Sequence, residues 1–436
     1  MASPSQPQPS SSSINGTSQS AYARGNGSST SMGAQVASPS DVLEHNLEHS
    51  LKLSDGLFFM PTDVTLPWET LSAMIQGKSA IDLSAMPVNS REEAQSFLTH
   101  YGFDLDDPDD ADEMEGYFLE AIDFIEGRFL TKAVDWEVEG EVAPPSAKIP
   151  DAIKQASPRK SHSVLDLIIL ASQKDNPLRP WACAILKVMH TLVYIQNSPL
   201  YKYHPQASKR ILAKFNDIMA PNADGSWTMR GQNGRPLHLA KFEKKPYKPR
   251  ESILIKLLCK KENVAENVWD LVGVRLVTFH PGEAILAVDI LREQKILLFP
   301  NIIPSRCRNT LIDLPHFQEL YQERLHEFQK GHCSLQEMTA IFKTSEFMLP
   351  DEVHADTNPM SSPKYRSLHI TCRQLLRLRH EHSLEETRFA FPYEIQILDL
   401  QSYHDNLEGH GAHVNYKQRQ LFTARRRVLG SLLQKA

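Results

Sequence analysis

The densest chemistry in the sequence is a run of cations. Lys241 to Lys261 holds eight basic residues (Lys241, Lys244, Lys245, Lys248, Arg250, Lys256, Lys260 and Lys261) against two acidic ones, Glu243 and Glu251. Polyphosphate calls for such a run, because several cations must neutralise three or four charges while a backbone fixes their positions. The same run also reads as a solvated basic helix face. Beyond it, Asp270 stands immediately before the apolar stretch Leu271 to Val274, so its carboxylate falls at the edge of a buried element. Glu394 sits between Tyr393 and Ile395, where packing alone gives no reason for a charge. Two carboxylates on adjacent strands can hold Mg²⁺ and present it to a triphosphate, since that ion prefers hard oxygen ligands. Between them, Pro363-Lys364-Tyr365-Arg366-Ser367-Leu368-His369 gathers an aromatic ring, cations, a hydroxyl and an imidazole. A Tyr flanked by cations can stack a base and hold its phosphates. The plainer reading is a basic loop leading into a strand at Leu368 to Cys372.

These residues need elements to position them. Leu271 to Phe279 is rich in β-branched residues and bounded by turn formers, which predicts a buried strand. Ala284 to Glu293 has helical spacing, and Phe391 to Leu398 reads as another strand. Strands interleaved with helices predict an α+β domain with a mixed sheet flanked by helices. Upstream the texture is helical. Tyr117, Phe118, Ala121, Ile122 and Ile125 form one stripe after the acidic stretch Asp104 to Glu115, and Val164 to Ala171 and Trp181 to Gln196 follow the same period. Met1 to Ser40 mixes Ser, Gln, Pro, Gly and Asn with too few large apolar residues to offset the entropy of ordering. The expected organisation is a disordered tail at 1–41, a mainly helical region at 42–225 and the α+β domain at 226–436.

Composition narrows the function classes. With 41% hydrophobic and 23% charged residues the chain is of ordinary globular type. No apolar stretch approaches the roughly 18 to 20 residues of a membrane span, so no membrane partner is expected. The amino terminus has Arg24 as its one charge before Ser40 and no apolar leader core, which makes the cytoplasm the expected compartment. Five dispersed cysteines without a CxxC pair argue against a disulfide framework and a structural zinc site. A net charge of −6 gives no global attraction to nucleic acid, so phosphate must be met by local patches.

Taken in order, Ser252-Ile253-Leu254-Ile255-Lys256, Asp270 to Leu276 (DLVGVRL), Tyr365 to His369 (YRSLH), Glu394 to Ile397 (EIQI) and the tail His404, Glu408, His413, Tyr416 and Lys417 resemble the synthetase domain of the RelA/SpoT family. The resemblance runs from Lys241 to Lys417. The helical half lacks the separated His, His-Asp and Asp set of the hydrolase domain that long members of that family carry. The chain also departs from the family pattern, with Pro246 where an Arg is usual, Lys364 where a Gly precedes the Tyr, and Leu398 where an Arg follows E-x-Q-I.

The resemblance implies a Mg²⁺-dependent pyrophosphokinase that moves the β,γ-pyrophosphate of ATP to the 3′-hydroxyl of GDP or GTP. Asp270 and Glu394 would be its catalytic and metal-binding pair. Lys248, Arg250, Lys256, Arg275, Tyr365, Arg366 and His369 would contact nucleotide, with Tyr365 on the acceptor base. Two alternatives keep the fold: an RNA 3′ end as the acceptor, or a nucleotide-binding regulatory protein without turnover. The helical half is then the expected surface for a protein partner or a second copy of the chain.

Overall fold

The structure, a computed structural model, describes residues 68–131, 148–154, 163–260, 268–349, 365–379, 386–408 and 413–433. The expected tail and Lys364 lie outside them. The longer helices of the first half are α1 (Trp68–Ile75), α2 (Arg91–Tyr101), α3 (Pro108–Phe124), α4 (Ser163–Ser172), α5 (Arg179–Asn197) and α6 (His204–Ile218), in agreement with the helical reading. The acidic stretch builds the start of α3: the Asp107 side chain accepts from the Asp109 N–H, Pro108 opens the first turn, and Asp109 and Asp110 sit where the helix dipole favours negative charge. The predicted stripe is buried, with Tyr117, Phe118, Ala121 and Ile122 on α3 and Ile125 just beyond it. It packs on α5, which also meets α4 and lies at the centre of the helical half. His190 of α5 bonds Tyr101 of α2 through Nδ1 at 2.8 Å, so its polar atom is satisfied by packing partners.

Among the described residues seven strands form one mixed sheet. β1 (Met219–Pro221), β2 (Trp227–Arg230) and β3 (Pro236–Lys245) make an antiparallel meander that continues into β4 (Gly273–Thr278). β5 (Arg308–Asn309), β6 (Leu368–Arg379) and β7 (Glu386–Asp399) complete the order β1-β2-β3-β4-β7-β6-β5. Among the described strands only β4 and β7 pair in parallel, with Gly273 opposite Glu394. Joining them requires a long crossover, and it carries α8 (Glu283–Glu293), α9 (Leu314–Gln329) and α10 (Leu335–Ala340). After β7 come α11 (Leu400–Glu408) and α12 (His413–Leu433).

Strand alternation gives the sheet two unlike faces. Phe242, Val274, Leu276, Cys372, Tyr393, Ile395 and Ile397 are buried on one of them. There Phe215 of α6 meets Tyr393 edge-on at 6.3 Å, and α8 packs against β7. The other face carries Lys241, Glu243, Lys245, Arg275, Glu394, Gln396, His369, Thr371 and Arg373, which strand register brings side by side. Helix α7 (Arg250–Cys259) links the two halves. Its Leu254, Leu257 and Leu258 are buried, and it packs on α5 and α12.

The start of α8 is the tightest glycine site. A Cβ on Gly282 would lie 2.8 Å from both the Phe342 carbonyl oxygen and the Phe347 ring, and 2.9 Å from the Phe342 Cα. Because backbone cannot move aside as a side chain tip can, Gly282→Ala is expected to cost about 1 to 3 kcal/mol. Gly116→Ala, in open space on α3, is expected to be neutral or to stabilise by up to about 1 kcal/mol. Urea unfolding of the two variants checks this pair, and equal midpoints would contradict the packing described.

Candidate active site

Asp270 lies just before β4, at the end of the sheet where α7 also arrives. Its two carboxylate oxygens accept separate ammonium groups: Lys248 Nζ reaches Oδ2 at 2.6 Å and Lys256 Nζ reaches Oδ1 at 2.6 Å. Lys248 stands in the link between β3 and α7, and Lys256 one and a half turns into the helix, so a single carboxylate ties strand, link and helix together. The three side chains are only 27%, 19% and 15% exposed. Burial pushes the Asp270 carboxyl up, but Lys256 and Lys248 outweigh it and hold the group well below the usual carboxylate range. The two lysines respond differently. Burial lowers Lys248, and the like charge of Lys256 adds to it against Asp270. On Lys256 burial is overcome by Asp270 and by Tyr416 of α12, so its pKa rises.

Glu394 stands in mid-β7 with one partner for each oxygen. His369 Nδ1 lies 3.1 Å from Oε1, and Gln396 Nε2 donates to Oε2 at 3.1 Å. Burial raises Glu394, yet the His369 hydrogen bond and charge bring it below its ordinary value against the repulsion of Asp270. A carboxylate can only accept, so Nδ1 carries the imidazole proton. Nε2 of the same ring is buried and has no hydrogen-bond partner among the described residues. Such an atom costs about 1 to 3 kcal/mol unless something satisfies it.

Arg275 extends the network across the face. Its Nη1 donates to Glu243 Oε2 at 3.1 Å, while Nε and Nη2 donate to Gln396 Oε1 at 3.2 and 3.1 Å. The Tyr403 hydroxyl of α11 donates to Glu243 Oε1 at 2.6 Å, and Lys241 Nζ lies 4.4 Å over the Tyr403 ring. Tyr365 meets His369 edge-on at 5.9 Å. Burial raises its phenol, and its hydrogen bonds to Ser367 and Arg275 work in the opposite direction.

Of the residues singled out in the sequence, Asp270, Glu394, Lys248, Lys256, Arg275, Tyr365 and His369 come together on this face. Two are directed elsewhere. Arg250 forms a fork on Glu120 of α3 at 2.8 and 3.1 Å and bonds Gln196 of α5 at 2.6 Å. Arg366 donates to the Leu349 carbonyl. The positions that depart from the family pattern have local reasons. Pro246 ends β3 with its carbonyl accepting from Ser208 at 2.8 Å, while Lys245, one residue earlier, runs over Gly273 with its Cβ and Cδ 3.7 Å from where a glycine Cβ would stand. Leu398 is buried against Val277 and Tyr403 in a small apolar cluster, where a charge would be unpaired. Glu243 and Gln396 join the face without having been expected as site residues. The two-residue spacing of Gln396 from Glu394 on one strand face was the available signal.

Among the described residues no group of three His, Cys, Asp or Glu side chains is arranged for a metal ion, and no helix is long and apolar enough to cross a membrane. No protein-family model matches the chain, and no curated protein matches it. Solved structures similar to it include small alarmone synthetase 1 from Bacillus subtilis bound to its product pppGpp, at 15% identity over 45% of this chain and 80% of that one, with a TM-score of 0.23. Small alarmone synthetase 2 from the same organism is similar at 15% identity over 54% and 92%, with a TM-score of 0.25. At such TM-scores the likeness carries no weight for the fold or the chemistry.

A carboxyl held below its unfolded pKa adds stability that is fully present above the unfolded value and is lost as pH falls through the folded one. For Asp270 that window opens below its ordinary value of 3.8. Asp270→Asn is therefore expected to lose about 1 to 3 kcal/mol at neutral pH, because two buried ammoniums keep no anion. It is also expected to lose less stability than the parent on acidification. Urea midpoints between neutral pH and pH 3 test both, and parallel acid profiles would contradict the clamp.

Proposed function

We propose that the charged sheet face is the active site of an ATP-dependent nucleotide pyrophosphokinase of the RelA/SpoT synthetase type, with GDP or GTP as acceptor. The observation that carries the reading is the Lys248–Asp270–Lys256 clamp, with Glu394 in the adjoining parallel strand and the two carboxylates close enough to repel. The order of the sequence motifs supports it independently.

A transfer between nucleotides needs cations for a triphosphate, a carboxylate near the attacking hydroxyl and an aromatic for a base. Lys248 and Lys256 are placed to take phosphate oxygens, exchanging part of their contact with Asp270 for the ligand. Mg²⁺ suits the pair Asp270 and Glu394 because it takes one or two carboxylates and completes its shell from substrate phosphate and water, and when bound it would supply charge neutralisation at the phosphates. Tyr365 stacks the acceptor base beside Arg275. The acceptor 3′-oxygen then bonds to the β-phosphorus as the bond from that phosphorus to the α,β-bridging oxygen breaks, AMP departs with the bridging oxygen, and the hydroxyl proton passes to the Glu394 carboxylate. Gln396 and His369 orient Glu394 and hold it ionised until it takes that proton. Such transfers rest mainly on positioning and charge, which matches a face rich in fixed cations and poor in nucleophiles.

The test uses ATP labelled on the γ-phosphate with GDP, GTP or bulk tRNA. Label is expected in the guanine nucleotide with AMP formed one for one, and Glu394→Gln is expected to lower kcat about a hundredfold or more. ADP and free phosphate as the only products, or full activity in the variant, would contradict the reading.

A further inference from the structure

Beside Asp270 lies a second group of cations that the proposed chemistry has not used. Trp269 directly precedes Asp270, and the guanidinium carbons of Arg306 and Arg373 lie 5.8 and 5.5 Å from the centre of its ring. They arrive from different directions. Arg373 is on β6 opposite Pro392, two residues beyond the Thr371–Glu394 pair and on the same face. Arg306 closes the short turn Pro304–Arg306, which is pinned to that strand: Ile303 N donates to the Thr371 carbonyl at 2.9 Å and the Thr371 hydroxyl to the Arg306 carbonyl at 3.3 Å. Lys260, at the end of α7, feels both Arg306 and Lys256. Burial, then those two like charges, push its pKa down to about 8.

This grouping is electrostatically unfavourable as it stands. Lys248 and Lys256 share Asp270, and Arg275 is engaged by Glu243. Among the described residues neither Arg306 nor Arg373 has a carboxylate partner, and the charge of Asp270 acts on Lys260 as well as on the two lysines it bonds. An indole face offsets part of the cost by cation–π attraction and holds both guanidiniums in fixed places. Fixed forks of N–H donors with no anion between them among the described residues are suited to phosphate oxygens, which they take in pairs. Transfer between two nucleotides brings two polyphosphate chains to one face, and the Asp270 clamp serves only one.

We propose that Arg306 and Arg373, ordered by Trp269 and joined by Lys260, form a second phosphate subsite, separate from the Lys248–Asp270–Lys256 clamp, for a phosphate group of a nucleotide's polyphosphate chain. It rests on the nucleotide reading of the site above. That chain belongs either to the adenine donor or to the guanine acceptor, and the same experiment tells them apart.

The experiment is calorimetric titration of the full-length protein with AMP, ADP and ATP and with GMP, GDP and GTP, comparing the parent, the double variant R306Q/R373Q and the double variant R306K/R373K. The parent is expected to bind more tightly with each added phosphate in both series. In the glutamine variant one series is expected to lose that gradient, with its triphosphate weakened about tenfold or more, and the lysine variant to keep most of it. The series that flattens names the chain held there. A gradient unchanged in both series, or equal weakening of the monophosphates, would overturn the subsite while leaving the proposed function standing. A parent that binds no nucleotide in either series would overturn both.

Discussion

One carboxylate organises this site. Asp270 stands just before β4, and each of its oxygens holds a lysine from a different element, one in the link after β3 and one on the helix α7. Three buried charges are tolerable only together, since two ammoniums without the anion would repel in a poorly solvated place, and the anion alone would be protonated by burial. The arrangement has one net positive charge, and each lysine has hydrogen-bond donors beyond the one given to Asp270. A polyanion can therefore enter while the lysines give up only part of their contact with Asp270, which distinguishes a cradle from a closed structural ion pair.

The sheet makes such a cradle possible by separating apolar from charged side chains. Because alternate residues point to opposite faces, β3, β4, β7 and β6 bury Phe242, Val274, Ile395 and Cys372 against helices while raising Lys245, Arg275, Glu394 and Thr371 on the other side. The parallel pairing of β4 with β7 sets Glu394 level with Gly273, three residues from Asp270. Parallel pairing in turn requires a crossover, and the turn at its near end delivers Arg306 to Trp269. The helical half contributes by holding α7 from behind, through apolar packing and through Arg250 on Glu120 and Gln196.

What the sequence discloses follows from how local each cause is. β4 is legible because its burial is nearly continuous and its residues β-branched, β7 because its second half is a short run of aromatic and branched apolar residues, and α5 and the stripe of α3 because their period is long and regular. β3 is hidden: the register shift between Leu239 and Lys241 breaks its alternation, and its charged end merges into the basic run. The run is thus neither one helix face nor one phosphate clamp, but the end of a strand, a link and a helix. Arg250 illustrates a second limit. Its type and neighbours fit phosphate, yet its partner Glu120 lies 130 residues away and nothing local announces it. Gln396, bonded to both Glu394 and Arg275, was within reach, since period-two spacing from Glu394 places it on the same face.

The central claim is that Asp270 couples the two lysines to a metal-bound polyphosphate, and the most direct measurement is ATP affinity with and without Mg²⁺ in the parent and in Asp270→Asn. The account predicts that Mg²⁺ tightens ATP binding in the parent. In the variant that dependence should vanish, while metal-free ATP binds more tightly, because a negative charge has left the cradle and both lysines are released to the phosphates. Equal Mg²⁺ dependence in the two proteins, or weaker metal-free binding in the variant, would contradict it.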